Sequence, residues 1–156
     1  MRICHVSPHL PPDQAANALL PAQLGQWMAA RGDDVRFVAH EPAQQGPTAQ
    51  GPGPKDDVQQ LSPLGPGPWA LGPHLPIQWV PRRERASGIA RLLKQDALRV
   101  VRAVHRALDE SAARADVLHL HSNGLIIEAA ASWAARHRKP YVMTMYGTEI
   151  WHYKRR

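Results

Sequence analysis

The sequence predicts an open, mostly parallel, doubly wound α/β sheet flanked by helices. This prediction rests on a strand–loop–helix–strand unit within residues 1–39 and on further strands that alternate with helices up to residue 145. A helix between two strands returns the chain to the same end of the sheet, so successive strands run parallel. The length of 156 residues is enough for a core, and we assign residues 1–156 to one domain.

The first unit begins with a strand at residues 2–6, which opens into a proline-rich loop. Apolar residues then recur at helical spacing. We expect this helix to begin near Leu20, because Pro21 is tolerated only in a first turn. Gly32 is expected to end it in a left-handed conformation, and residues 35–39 form the second strand.

The middle of the chain, residues 42–81, has a different composition. It holds ten of the 15 prolines and six of the 11 glycines. Short strands fit at residues 58–61 and 77–80, but the surrounding Gly-Pro runs exclude long regular elements. A long irregular segment within a domain is typical of a functional loop.

Regular periodicity returns after this segment. Residues 87–110 predict an amphipathic helix with apolar residues on one side and arginines on the other. A strand at 116–121, a helix at 125–138 and a strand at 141–145 follow, and Gly147 closes the last strand.

The positive charge of the chain is concentrated in one segment. The formal net charge is +6, and the segment from Arg82 to Arg106 carries eight basic residues and two acidic ones, which is 8 − 2 = +6. The basic residues are Arg82, Arg83, Arg85, Arg91, Lys94, Arg99, Arg102 and Arg106. Such a face indicates either an anionic membrane surface or an ordinary solvated helix. We expect no nucleic-acid partner, since no aromatic–basic motif accompanies the charge.

Composition also bears on the compartment. No apolar run is long enough for a membrane span, and residues 1–6 lack the apolar region of a signal peptide. The single cysteine, Cys4, cannot form an internal disulfide, which fits a reducing compartment. We therefore expect a cytoplasmic protein, with the basic helix offering a peripheral contact at the inner membrane face.

Three loops are expected to share the carboxyl edge of the sheet, where such folds bind ligands. They span residues 7–17, 121–124 and 146–149. The candidate ligand-binding residues in them are Asp13, Ala16, Asn17, His121, Ser122, Asn123, Gly147 and Thr148. Polar side chains and helix N–H groups at such positions suit hydroxyls and phosphates. Helix capping is an equally good explanation for Thr148 and for Glu149.

His119 and His121 alternate along one strand and therefore face the same side. Two histidines could contribute to a metal site, but no third ligand presents itself in the sequence, and we predict none. His119 is expected in the core or against a helix. His121 lies at the end of the strand, where lining the cleft and being buried fit the sequence equally well.

Several segments resemble the retaining glycosyltransferases of family 4, which have two Rossmann-like domains facing a cleft (the GT-B fold). The similar segments are RICHVSP at 2–8 with the following Pro-Pro at 11–12, AARGDDV at 29–35, ADVLHLHS at 115–122 and KPYVMTMYGTE at 139–149. Together they cover about half of the chain. The resemblance implies the amino-terminal, acceptor-side domain of an enzyme that transfers a hexosyl-type sugar from a nucleotide-sugar.

The resemblance also implies roles for individual residues. Tyr146 stands where the family often has a histidine that contacts the transferred sugar, and we take Tyr146 and Glu149 as the catalytic candidates. Ala15 and Ala16 stand where the family usually has a Gly-Gly pair that lets phosphates approach the backbone. These two departures leave open how the sugar is held.

The donor nucleotide and the paired glutamates of the family belong to a second domain, which we do not find in this sequence. The resemblance therefore implies an incomplete enzyme that is inactive without a second glycosyltransferase domain in cis or in trans. The nucleotide-sugar is a co-substrate, and no further cofactor is expected. The alternative is a non-catalytic α/β module that docks an anionic surface through its basic helix. A dehydrogenase-type domain is disfavoured, because no Gly-x-Gly-x-x-Gly follows the first strand.

Overall fold

The computed structural model describes residues 1–11, 13, 16–42, 75–82 and 95–146. In these ranges the strands are β1 (Arg2–Ser7), β2 (Asp34–His40), β3 (Ile77–Val80), β4 (Val117–His121) and β5 (Tyr141–Thr144). The helices are α1 (Ala16–Ala30), between β1 and β2, α2 (Gln95–Ser111), between β3 and β4, and α3 (Leu125–Arg136), between β4 and β5. The alternation of strands and helices confirms the predicted α/β class.

The five strands form one sheet in the order β3-β2-β1-β4-β5, and every pairing is parallel. β1 lies at the centre, where His5 is in register with Phe37 of β2 and with His119 of β4. The chain fills the sheet outward from β1 to β3, then crosses back to place β4 on the other side of β1. The order of strands therefore reverses between β1 and β4, as in a doubly wound Rossmann-like sheet.

Helices cover both faces of the sheet. α2 and α3 pack on one face over an apolar core that includes Cys4, Val6, Leu120 and Trp133. α1 packs on the opposite face of β1 and β2, over a smaller core around Phe37. The central strand β1 is covered from both sides, so every residue from Ile3 to Ser7 is buried, including the polar His5 and Ser7. Among the described helices, none is both long enough and apolar enough to cross a membrane.

The prediction for the start of α1 is wrong. The helix begins at Ala16 and not near Leu20, so Pro21 lies inside it. Proline has no N–H to donate to the Asn17 carbonyl one turn earlier. The hydroxyl of Ser7 at the end of β1 lies 3.5 Å from that carbonyl oxygen, but its one proton is donated to the His9 carbonyl at 2.6 Å, so it adds little there.

The prediction for the end of α1 is confirmed. Gly32 has a φ of +90°, and its N–H donates to the Ala29 carbonyl at 2.9 Å. The next N–H, from Asp33, donates to the Met28 carbonyl at 3.2 Å. This pair of bonds is a Schellman motif, which needs a residue that adopts a left-handed conformation without strain.

The other predicted elements are present, with ends that differ by a few residues. β3 matches residues 77–80, and α3 ends at Arg136 and not at 138. α2 is described from Gln95 onward, so the expected helical turns from residue 87 lie outside the described residues. The strand expected at 58–61 also lies outside them.

α1 meets the sheet through small residues. Leu20 and Trp27, which carry the apolar periodicity of this segment, are 48% and 55% exposed, whereas Ala18, Ala22 and Gly25 are buried. A Cβ atom added to Gly25 would lie 2.8 Å from Cε2 of Phe37 and still closer to its Cζ. The close approach of α1 to β2 therefore depends on a missing side chain at this position.

We expect Gly25→Ala to lower the free energy of unfolding by about 1–2 kcal/mol. Overpacking a core costs about 1–3 kcal/mol, which outweighs the gain of up to about 1 kcal/mol from replacing a helical glycine. Urea unfolding measures the change, and Gln23→Ala on the exposed side of α1 is the control. A variant more stable than the parent would contradict the close contact with Phe37.

Candidate active site at the carboxyl edge of the sheet

The loops after β1, β4 and β5 leave the same edge of the sheet, because the strands are parallel and neighbouring. β1 and β4 flank the point where the strand order reverses. In open α/β sheets the helices that follow two such strands lie on opposite faces, and their loops separate to leave a crevice. α1 and α3 follow this pattern here. The predicted ligand loops 7–17 and 121–124 both border this reversal point.

Three side chains form what we call the Asp13 cluster: Asp13, His9 and Arg82. The Asp13 carboxylate accepts hydrogen bonds from Nδ1 of His9 and from Nη2 of Arg82, each at 2.9 Å. Burial alone would raise the pKa of Asp13, but the two hydrogen bonds and the charge of Arg82 outweigh it and hold that pKa below its usual value. Asp13 is therefore ionised at neutral pH and oriented by two neighbours.

A second group, the histidine cluster, consists of His5, His119 and His121. His5 Nδ1 lies 2.9 Å from His121 Nε2, and His121 Nδ1 lies 2.9 Å from the Tyr146 hydroxyl. His119 Nε2 lies 2.8 Å from the hydroxyl of Thr144. A line of hydrogen bonds thus runs from the interior at His5 to Tyr146 in the loop after β5.

Burial keeps these imidazoles uncharged. It lowers the pKa of His5 to about 3 and that of His121 to about 2, and the neighbouring histidines add to both shifts. Burial also lowers the pKa of His119, which is partly exposed. Each ring at neutral pH therefore offers one N–H and one lone pair.

The loop after β4 has an unusual backbone. Ser122 has a φ of +71° and donates its N–H to the Thr144 carbonyl at 2.8 Å, which ties this loop to β5. Gly124 has a φ of +102° and begins α3 without a side-chain hydrogen bond to the first N–H groups. These N–H groups of α3 adjoin the crevice, where they suit a hydroxyl or an anion.

The structure brings several of the predicted site residues to this edge. Asp13, Asn123 and Tyr146 are exposed or half-buried there. His121 and Ser122 are buried, so His121 reaches the crevice only through the Tyr146 hydroxyl. His119 was expected in the core or against a helix, but its ring contacts Thr144 on the edge strand.

Of the remaining predicted residues, two lie at the start of α1 and three lie outside the described residues. Ala16 is the first residue of α1. Asn17 lies in its first turn, with a buried side-chain oxygen that has no hydrogen-bond partner among the described residues. Gly147, Thr148 and Glu149 lie outside the described residues.

The sequence reasoning missed three residues of these clusters: His5, His9 and Arg82. His9 precedes Asp13 by four residues within one loop, and Arg82 comes directly after β3, so the rule that strand ends carry ligand groups could have identified both. No such rule identifies His5, because the partner of a polar residue inside a strand can be named only when the neighbouring strands are known.

These features define a parallel α/β domain whose loops after β1 and β4 border the switch point of the sheet. A family model described as "Glycosyl transferase 4-like domain" matches residues 21–156, and the chain therefore belongs to this family. Comparison with curated proteins gave no match. The resemblance seen in the sequence is thus confirmed at the level of the family.

Two solved structures are similar in fold. One is the glycotransferase of kitacinnamycin, with a TM-score of 0.50 and 15% identity over 91% of this chain and 30% of that chain. The other is a putative UDP-N-acetylglucosamine 2-epimerase from Listeria monocytogenes, with a TM-score of 0.56 and 12% identity over 97% of this chain and 32% of that one. The chain therefore spans about a third of the length of each, and at this identity the likeness shows the fold.

We expect the free energy of unfolding to fall as the pH drops below about 6.5, the pKa of an unfolded histidine. The unfolded chain then binds protons that folded His5 and His121 do not bind until about pH 3 and 2. Their contribution is complete above pH 6.5 and is lost toward those values, by on the order of 1 kcal/mol per pH unit for each residue.

Urea unfolding at several pH values measures this slope, and a chelator in the buffer keeps trace metal ions from binding the imidazoles. His5→Phe keeps a flat ring against Phe37, whose ring centroid lies 5.0 Å from that of His5, and removes one titrating group. The slope should decrease in this variant and stay unchanged in the control Gln23→Ala, which removes no titrating group from the surface. Equal slopes in His5→Phe and the parent would show that His5 does not resist protonation.

Proposed function

We propose that this chain is the acceptor-side half of a glycosyltransferase that moves a hexosyl-type sugar from a nucleotide-sugar to a glycan, a lipid-linked or a small-molecule acceptor. The observation that carries the proposal is the Asp13 cluster, which holds an ionised carboxylate of the loop after β1 against Arg82 at the carboxyl end of β3. Family membership supports the reaction class. The match to about a third of each structural neighbour supports the need for a further domain.

The acceptor would lie across the crevice between the loops after β1 and β4. The Asp13 carboxylate accepts hydrogen bonds and therefore orients an acceptor hydroxyl, while Arg82 and the first N–H groups of α3 supply donors. Because its pKa is held low, Asp13 is a poor proton acceptor at neutral pH and acts by positioning. Positioning of this kind fits a retaining reaction whose leaving phosphate is stabilised by a second domain.

Tyr146 is the contact we assign to the transferred sugar. Its hydroxyl lies 2.9 Å from Nδ1 of His121, and His121 is in turn held by His5. A tyrosine at this point offers a directed hydrogen bond to a sugar hydroxyl and does not exchange protons readily at neutral pH. Glu149 remains the second catalytic candidate on the basis of the family resemblance.

We expect the chain alone to bind acceptor-type glycans weakly and to release no nucleoside diphosphate from nucleotide-sugars. Titration of the ¹⁵N-labelled chain with a panel of mono- and disaccharides should shift amide signals of residues 7–17 and 121–124. Asp13→Asn should weaken the binding about tenfold, because a hydrogen bond to a charged group contributes about 1.5 kcal/mol or more.

The matched control is Asp116→Asn. Asp116 is also an ion-paired aspartate, bonded to Arg2 at 2.6 Å, but it lies at the opposite edge of the sheet. The control should bind like the parent. Shifts centred on the amino ends of the strands, or equal losses in the two variants, would exclude the proposed acceptor site.

A second candidate function is a non-catalytic module that docks an anionic membrane surface. The observation that favours it is a groove of about 780 Å³ along α2, lined by Leu98 and by Arg99, Arg102 and Arg106, among others. Leu98 is 50% exposed beside these arginines. A basic helix face with an exposed apolar side chain is the arrangement that binds lipid headgroups at an interface.

We expect the chain to cosediment with phosphatidylcholine vesicles only when they also contain phosphatidylserine. The double variant Arg102→Gln/Arg106→Gln should lower this partition roughly 30-fold, since each basic residue near such a surface contributes about 1 kcal/mol. Arg36→Gln/Arg114→Gln removes the same charge from the amino edge and is the control. Equal partition of the two double variants would exclude α2 as the docking face.

A further inference from the structure

The three imidazoles of the histidine cluster converge on the α1 face of the sheet. His5 of β1 is in register with His119 of β4, and His121 follows two residues later on the same face. One ring nitrogen from each residue lies within 4.8 Å of one from both others. The ring centroids are 5.2 Å apart between His5 and each of the others, and 4.0 Å apart between His119 and His121.

His5 is harder to explain as an ordinary core residue than the other two. Its side chain is fully buried, and its Nε2 has no hydrogen-bond partner among the described residues. A buried polar group without a partner costs about 1–3 kcal/mol. An apolar side chain of similar size would avoid this cost, so an imidazole is explained here by what its other nitrogen, Nδ1, can bond.

We propose that His5, His119 and His121 bind a transition-metal ion, with Zn²⁺ as the representative. Imidazole is a preferred ligand of Zn²⁺, Cu²⁺ and Ni²⁺, and three histidines are the zinc ligands of carbonic anhydrase. Burial keeps all three rings neutral, so each has a lone pair to offer without first losing a proton. The sequence alone predicted no such site, because the third ligand comes from a strand more than a hundred residues away.

The movements required for binding are small. Zn–N distances of about 2.0–2.1 Å place tetrahedral ligand atoms about 3.3 Å apart. His5 Nδ1 and His121 Nε2, now 2.9 Å apart, would separate by a few tenths of an ångström. His119, whose ligand atom lies within 4.8 Å of the others, would approach by up to about 1.5 Å through side-chain rotation.

In two of the three histidines, the ring nitrogen that would not bind the ion already lies within hydrogen-bond distance of a hydroxyl oxygen. Nδ1 of His121 faces the Tyr146 hydroxyl at 2.9 Å, and Nε2 of His119 faces the Thr144 hydroxyl at 2.8 Å. Metal-binding histidines characteristically use their second nitrogen in this way, which fixes the tautomer and the ring orientation. The remaining nitrogen of His121, Nε2, faces Nδ1 of His5 within the cluster, and Nδ1 of His119 is the nitrogen left to bind an ion.

An ion can enter from the side of β5. His119 is partly exposed, and its neighbour in register, Val142, is 53% exposed on the same face of the sheet. α1, the helix on this face, packs over β1 and β2. His119 is therefore the outermost ligand, and His5 and His121 form the buried part of the site.

Titration of the full chain with Co²⁺, a spectroscopic substitute for Zn²⁺, tests the proposal. We expect one Co²⁺ per chain, a visible absorption band typical of nitrogen ligation in a tetrahedral field, and displacement of that band by Zn²⁺. His5→Phe and His119→Phe should each weaken binding about 100-fold or more, and Thr144→Val about tenfold, because outer-shell partners contribute 10–100-fold. His119→Phe is the safer variant, since His119 is partly exposed and its loss disturbs the core least.

The control is His105→Gln/His137→Gln, which removes two histidines on the α2–α3 side of the sheet and should bind like the parent. Absence of the band and of any Zn²⁺-induced rise in melting temperature in the folded parent would overturn the proposal. Binding that survives in both phenylalanine variants, or that is lost in the control, would overturn it as well. These outcomes do not depend on glycan binding, so the metal site and the proposed function are tested separately.

Discussion

The parallel pairing of β1 on both of its edges is the constraint on which the rest of the structure depends. Because β1 lies between β2 and β4, its side chains are buried under α1 on one face and under α2 and α3 on the other. The same pairing fixes the registers of its two neighbours, and it places the loops after β1 and β4 on either side of the point where the strand order reverses. The burial of the core and the position of the ligand loops therefore both follow from the central place of β1 in the sheet.

The two faces of β1 are chemically unequal. Cys4 and Val6 face α2 and α3 and contribute to an apolar core, whereas His5 and Ser7 face the side of α1. Ser7 donates to the His9 carbonyl in the loop after β1, and Nδ1 of His5 extends the line through His121 to Tyr146. Nε2 of His5 has no partner among the described residues. Polar groups in a sheet interior are retained when they support a specific arrangement, since apolar residues would otherwise serve stability as well.

The crevice contains two polar systems with different properties. The Asp13 cluster carries charge and lies in loops, so it can exchange its hydrogen bonds with those of a ligand. The histidine cluster is neutral, lies in strands, and is linked to the crevice by one tyrosine hydroxyl. The first is suited to recognition of hydroxyl groups, and the second to holding a side chain or an ion in a fixed position. Both depend on residues that are far apart in the sequence.

The sequence by itself determined the alternating strands and helices, the left-handed turn at Gly32 and the edge of the sheet at which ligand loops meet. These features depend on local periodicity, on glycine conformation and on the rule that parallel strands share an edge. Only the tertiary structure decided which residues meet. It paired His5 with His121 and Asp13 with Arg82, and it turned the small residues of α1, not Leu20 and Trp27, toward the sheet. Such contacts depend on strand order and on how closely a helix can approach, and neither is encoded in the spacing of residues along one segment.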